Sequence, residues 1–241
     1  MQRSRCVSIS LLRRASETAA SWLWPLRCCS CDAFGEAPFC FACAETLVAS
    51  PAGCPVCGAP ADEALQPALK PRRCGHCRER APPYALARAP YLHGGALAEA
   101  VHRLKYDRRD DLARPLGVLF EACLRPRADV VVAVPLHPAR LRHRGFDQAQ
   151  LLASAAGERF GIRVESLLVR VRETRQQVGL DRPGRERNVD GAFAARGRVT
   201  GRRICLIDDV LTTGATAGAA TRALLRAGAA RVEVRTLARA A

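Results

Sequence analysis

From residue 84 onward the apolar positions switch between two spacings. Leu97, Ala100, Val101 and Leu104 recur at helical intervals and predict a helix over 96–104. Leu116, Leu119, Phe120 and Cys123 predict a second over 112–124. The β-branched run Val130 to Val134 reads as a strand buried on both faces. Gln148 to Phe160 is helical and stops at Gly161. Ile204 to Ile207 is another buried strand, Thr216 to Ala227 a helix ending near Gly228, and Val232 to Leu237 a closing strand. Strands alternating with helices imply right-handed crossovers and a parallel sheet, an α/β class with flanking helices.

The first third of the chain lacks this rhythm. Residues 1–25 read as a short lead, within an amphipathic helix over 8–27 carrying Leu11, Leu12, Ala15, Ala19, Trp22 and Leu23 and closed by Pro25. An Arg- and Ser-rich leader of this kind also suits an organellar transit peptide. Residues 26–83 are rich in Pro, Gly and Ala, and Pro82-Pro83 makes a boundary before the α/β region at 84–241. Eight of the twelve cysteines form Cys-x-x-Cys pairs: Cys28/Cys31, Cys40/Cys43, Cys54/Cys57 and Cys74/Cys77. Such spacing favours metal over disulfides and hence a reducing compartment. Sixteen residues separate Cys57 from Cys74, a zinc-ribbon interval, and eight separate Cys31 from Cys40. Sequential pairing into two zinc sites is the first reading and interleaved pairing the second. Cys29 competes with Cys28 for one ligand position. Four thiolates leave no open coordination position, so the zinc is structural.

Composition adds one fact that matters. The 241 residues carry a net charge of +15, almost wholly arginine, since Lys70 and Lys105 are the two lysines. Arginine binds phosphate with a bidentate fork, so an anionic partner, phosphorylated small molecule or nucleic acid, fits. The same excess is also what an Ala- and Arg-rich coding bias gives. Aromatic content of 5% offers no evident base-stacking platform. No stretch is long and apolar enough to span a bilayer, and the chain reads as cytoplasmic.

The densest chemistry is Asp208-Asp209-Val-Leu-Thr212-Thr213-Gly214-Ala-Thr216. A buried strand runs into two acids, then into hydroxyls and a glycine at a helix start. Ligands bind at the carboxyl ends of parallel strands. A helix start offers unpaired N–H groups to a phosphate, and Gly214 lets it approach. Two acids there repel phosphate, but accept hydrogen bonds from sugar hydroxyls or hold a divalent cation. The loop after Val134 gathers His137, Arg140, Arg142, His143 and Arg144, a second anion-binding environment, with the histidines read as solvated. Residues 170–188 form a polar, arginine-rich loop of the kind that closes over charged substrates. Lys105 follows the first helix and reads either as a pyrophosphate contact or as a surface lysine.

The acid–threonine segment resembles the phosphoribosyl-pyrophosphate signature of type I phosphoribosyltransferases. Over residues 26–238 the chain resembles the ComF family of competence-associated, GntX-type proteins. The resemblance rests on that segment together with Cys54-Pro-Val-Cys-Gly58, Leu104-Lys105-Tyr106, Val134-Pro135-Leu136, Arg144-Gly-Phe-Asp-Gln148, and Gln177 through Asn188 to Gly191-Ala192-Phe193. It implies a type I phosphoribosyltransferase-like parallel sheet behind a double zinc ribbon. It implies that Asp208 and Asp209 hold the ribose hydroxyls, and that Thr212, Thr213, Gly214 and Thr216 cradle the 5-phosphate. Arg144 and Gln148 then contact pyrophosphate, and Arg170, Gln177 and Arg185 belong to a mobile catalytic loop. The family usually has Asn where this chain has Asp147.

Two functions follow. In one, the protein binds 5-phosphoribosyl-1-pyrophosphate with magnesium and transfers phosphoribosyl to an acceptor, in DNA uptake or nucleotide metabolism. In the other, a non-enzymatic zinc protein binds that ligand or a nucleotide and handles single-stranded DNA or scaffolds competence proteins.

Overall fold

The computed structural model describes residues 26–35, 38–60, 72–123, 125–175, 179 and 181–240. The lead at 1–25, with most of the helix expected over 8–27, lies outside the described residues, as does Gln177.

Strands β1 (Leu86–Arg88), β2 (Tyr91–Leu92), β3 (Val130–Ala133), β6 (Arg203–Leu211) and β7 (Arg231–Arg239) form one wholly parallel sheet. Its order is β1-β7-β6-β3, and β2 pairs further along the β7 edge. Val130, Val132 and Val134 face one core, Val131 and Ala133 the other, as the period-2 rule requires. Every residue of β3 is buried, which is why that strand reads as an unbroken apolar run. The long helices are α3 (Gly95–Tyr106), α6 (Gln148–Phe160) and α8 (Ala215–Arg226). The apolar stripe of α3 is buried as expected, through Leu97, Ala100, Val101 and Leu104.

Three expectations need correction. The helix expected over 112–124 is broken: one α-turn, α4 (Ala113–Leu116), lies between 3-10 turns at Asp110–Leu112 and Gly117–Ala122. Pro115 supplies no N–H and interrupts the ladder. Gly117 permits close approach, because a Cβ there would stand 2.4 Å from the Ala155 Cβ of α6. The strand expected over 204–207 runs on through both acids to Leu211, since β7 offers partners as far as Arg239. The loop expected over 170–188 is partly ordered at both ends. Its start is β4 (Leu168–Arg170), paired antiparallel with β5 (Phe193–Ala195). Its end is α7 (Arg182–Val189), where the Asp181 carboxylate accepts from Gly184 N at 2.8 Å. The Asp-Arg-Pro sequence is an N-cap with proline in the first turn, a signal present in the chain.

The cysteine region packs on both cores. Cys54, Cys57 and Cys77 join Val232, Val234, Ile204 and Leu206 on one face. Cys28, Cys29 and Phe39 join Leu97, Leu104 and Ile207 on the other. Among the described residues no helix is long and apolar enough to cross a membrane.

Candidate functional site

At the carboxyl end of the sheet a cleft of about 290 Å³ opens between β6, the loop after β3 and the ends of several helices. The strand–turn–helix expected from sequence forms its floor. Asp208 and Asp209 lie in the last half of β6, which ends at the buried Leu211, Thr212 to Gly214 turn, and Ala215 begins α8. Gly214 has φ +81°, the left-handed region where a side chain is strained. A Cβ there would also lie 2.8 Å from the hydroxyl of Tyr84, which is buried beneath the turn.

Asp208, Asp209, Thr212, Gly214, Thr216, Lys105, Arg144, Gln148, Arg170 and Arg185 all line this cleft. Thr213 does not: it borders the neighbouring cleft, and its hydroxyl accepts from Ala215 N at 3.3 Å. Arg140 (from α5, Pro138–Arg144) and Tyr106 complete the wall. Within the loop after β3 the helix α5 forms, with the His137 Nδ1 accepting from Ala139 N at 3.3 Å and Gly145 closing the helix at φ +90°.

The two acids are not equivalent. Asp209 is 4% exposed and fully partnered: Lys105 Nζ lies 2.6 Å from its Oδ1, and Gln148 Nε2 donates to Oδ2 at 3.0 Å. Arg144 in turn donates to Gln148 Oε1. Lys105 is therefore no surface lysine. Burial alone would lower its pKa, but the Asp209 carboxylate overrides this and holds it above the usual lysine range. Asp208 accepts from its neighbour's N–H at 2.9 Å and, among the described residues, makes no ion pair. Burial and the charge of Asp209 push its carboxyl up to about 7.

The cationic side is pre-arranged. Arg170 donates to Thr174 Oγ1 at 2.5 Å, and Arg140 to the Thr174 carbonyl at 2.6 Å. Burial and the charge of Arg140 lower the Arg170 pKa, and its buried Nε has no hydrogen-bond partner. Asp147 lies outside this chemistry. It caps α6, accepting from Ala149 N and Gln150 N, and it also accepts from Leu136 N at 2.8 Å. An acid at that position therefore fixes the β3 loop against α6 and does not face a phosphate.

The cysteines gather in two sets, Cys28/Cys31/Cys40/Cys43 and Cys54/Cys57/Cys74/Cys77. Within each set the sulfurs lie within 4.8 Å of one another, which answers the pairing question in favour of sequential sites. Cys31 and Cys40 stand 3.7 Å apart, and Cys57 and Cys74 3.6 Å. A metal with bonds of about 2.3 Å to tetrahedral sulfurs sets such edges near 3.8 Å, so both sets fit a four-thiolate ion. Cys40 and Cys74 cap the short helices α1 (Phe41–Ala44) and α2 (Gly75–Glu79), which carry the fourth ligand of each set one turn on. Cys29 is buried beside the first set and is not part of it.

Sequence reasoning missed Tyr84, because no spacing rule links position 84 to a loop at 212–216; Tyr106 was legible only as part of the Leu104-Lys105-Tyr106 motif. No family model matches the chain. It is similar to DNA utilization protein YhgH of Salmonella typhi, 34% identical over 83% of this chain and 89% of that protein. It is also similar to competence protein F of Haemophilus influenzae, 27% identical over 70% and 79%. Among solved structures it matches the glutamine phosphoribosylpyrophosphate amidotransferase of B. subtilis at 27% identity, TM-score 0.36, over 51% of this chain and 25% of that one. By the extent of its match to the Salmonella protein, the chain belongs to the ComF family, the family of DNA utilization protein YhgH and competence protein F.

Proposed function

We propose that the cleft binds 5-phosphoribosyl-1-pyrophosphate and that the protein transfers the phosphoribosyl group to an acceptor in DNA uptake or utilisation. The observation that carries this reading is the asymmetry of the cleft floor. Asp208, a carboxylate with no ion pair among the described residues, stands beside a helix start at Gly214, and arginines line the same cleft. A sugar hydroxyl suits Asp208, a phosphate suits the Thr212–Thr216 turn, and a pyrophosphate suits Arg140, Arg144 and Arg170.

Transfer would break the bond from C1 of the ribose to the pyrophosphate oxygen and form a bond from C1 to the acceptor nucleophile. Positive charge develops on the sugar and negative charge on the leaving group. Arg140 and Arg170, already held by Thr174, would stabilise the latter without reorganising. Lys105 and Gln148 hold the Asp209 carboxylate in place, so Asp208 is the acid left to meet the ligand. A half-buried carboxylate with no ion pair among the described residues fits magnesium, which when bound would offset the leaving group's charge. The cysteine sets fit structural zinc, and DNA utilisation and competence in the names of relatives support the cellular context.

The second reading, a non-enzymatic nucleotide- or DNA-handling zinc protein, is favoured by the +15 charge. Calorimetric titration with phosphoribosyl pyrophosphate and magnesium separates the two when paired with a pyrophosphate-release assay. Binding abolished by Asp208→Asn, with release on adding an acceptor, supports transfer. Salt-sensitive binding of single strands without turnover supports the second reading. Failure of the zinc-loaded protein to bind phosphoribosyl pyrophosphate overturns the first.

A further inference from the structure

A second and larger cleft, about 680 Å³, lies on the other side of the phosphate turn. Its walls come from the second cysteine set, the segment 80–84, α7 and the first turns of α8. Thr213 and Gly214 reach it, and Gly214 borders both clefts.

The lining is cationic. Arg80, Arg182, Arg187, Arg222 and Arg239 face it against the acids Glu186 and Asp190. Arg80 is occupied by Glu186 at 2.9 Å. Arg187 and Arg222 make no ion pair among the described residues, so two cations from different helices remain for an anion. Arg239 is 8% exposed; it donates to the Cys57 carbonyl at 2.6 Å, while its Nε is buried without a hydrogen-bond partner. The lining also has an apolar part, Pro82, Pro83 and Tyr84, with Pro83 and Arg222 both beside Gly218.

We infer that this cleft is a binding site for a nucleoside phosphate, with the phosphoryl groups on Arg187 and Arg222 and the base against Pro82 and Pro83. The volume suits a ligand of that size. The site is separate from the phosphoribosyl cleft and shares its turn: the Tyr84 hydroxyl abuts Gly214, and Arg182 Nη1 donates to the Thr213 carbonyl at 3.4 Å. An occupant pressing on this turn would therefore change affinity at the first cleft, and by linkage the reverse. That coupling, unlike the binding itself, rests on the phosphoribosyl reading.

The test is calorimetric titration of the full, zinc-loaded chain with ADP, a probe carrying base, sugar and two phosphoryl groups. The expected result is saturable binding, weakened about tenfold or more by Arg187→Gln and by Arg222→Gln, the loss of one charged contact each. Asp208→Asn should leave it unchanged. ADP binding lost in Asp208→Asn but intact in both arginine variants would place the nucleotide in the first cleft and overturn the inference. No ADP binding overturns it as well, even if an oligonucleotide binds through the same arginines. For the coupling, the affinity for phosphoribosyl pyrophosphate is measured with and without saturating ADP, and equal values refute it.

Discussion

Asp208 should be a site where the protein gives up stability for function. Its carboxyl is pushed from 3.8 to about 7 by burial and by Asp209, so the folded state holds the proton more tightly than the unfolded chain does. Stability from this group therefore falls as pH rises from about 4 to about 7 and stays low above that. The full displacement corresponds to about 4 kcal/mol. Asp208 borders an open cleft, so solvent screens much of it, and about 1–2 kcal/mol is the expected net cost. Asn at this position still accepts from the Asp209 N–H without carrying charge. In urea melts of zinc-loaded protein without magnesium or ligand, Asp208→Asn should exceed wild type by about 1–2 kcal/mol at pH 8. The gap should close by pH 4.5. A variant equally or less stable at pH 8, or a gap independent of pH, would refute the reasoning. The same variant should lose affinity for phosphoribosyl pyrophosphate, so stability and binding should move in opposite directions.

Further outcomes follow from the same geometry. Lys105→Met strands the buried Asp209 carboxylate and should cost about 2–3 kcal/mol in denaturant melts, less than for a fully buried pair because Lys105 is partly exposed. Gly214→Ala forces a side chain into φ +81° against the Tyr84 hydroxyl and should cost about 2 kcal/mol while weakening anion binding at the turn. Metal analysis should give two zinc ions per chain, and Cys74→Ser one, with a lower melting temperature for the whole chain because Cys54, Cys57 and Cys77 sit in the sheet's core. Asp32→Ala releases Arg103 and Arg109, which anchor α3 and the following loop, and should lower stability by about 1 kcal/mol, read by urea melts.

What could be read from sequence was the chemistry carried by local order. Strand, acids, threonines, glycine and helix follow one another in β6 and α8, and each signal is adjacent to the next. The Cys-x-x-Cys pairs were legible for the same reason. Less legible was whatever depends on a distant partner. Strands β1 and β2 are three and two residues long and exist because β7 offers an edge; neither has a period of its own. The pair β4–β5 is held by pairing across more than twenty residues. Gln148, expected against pyrophosphate, lines the cleft, and nothing in the sequence signals that it also bridges Arg144 and the buried Asp209. Asp147 was noted only as an acid where the family usually has Asn, although its place before a helical run marks it as a cap.

The two cysteine sets lie against opposite faces of one sheet, on the side where β1 and β2 flank β7. A chain segment that grips both faces works as a clasp. Pulling the sheet apart at that margin requires at least one set to open, so metal release and unzipping of β7 become one event. It also means that the segment before residue 84 and the sheet after it should be inherited together, since either alone leaves an apolar face bare.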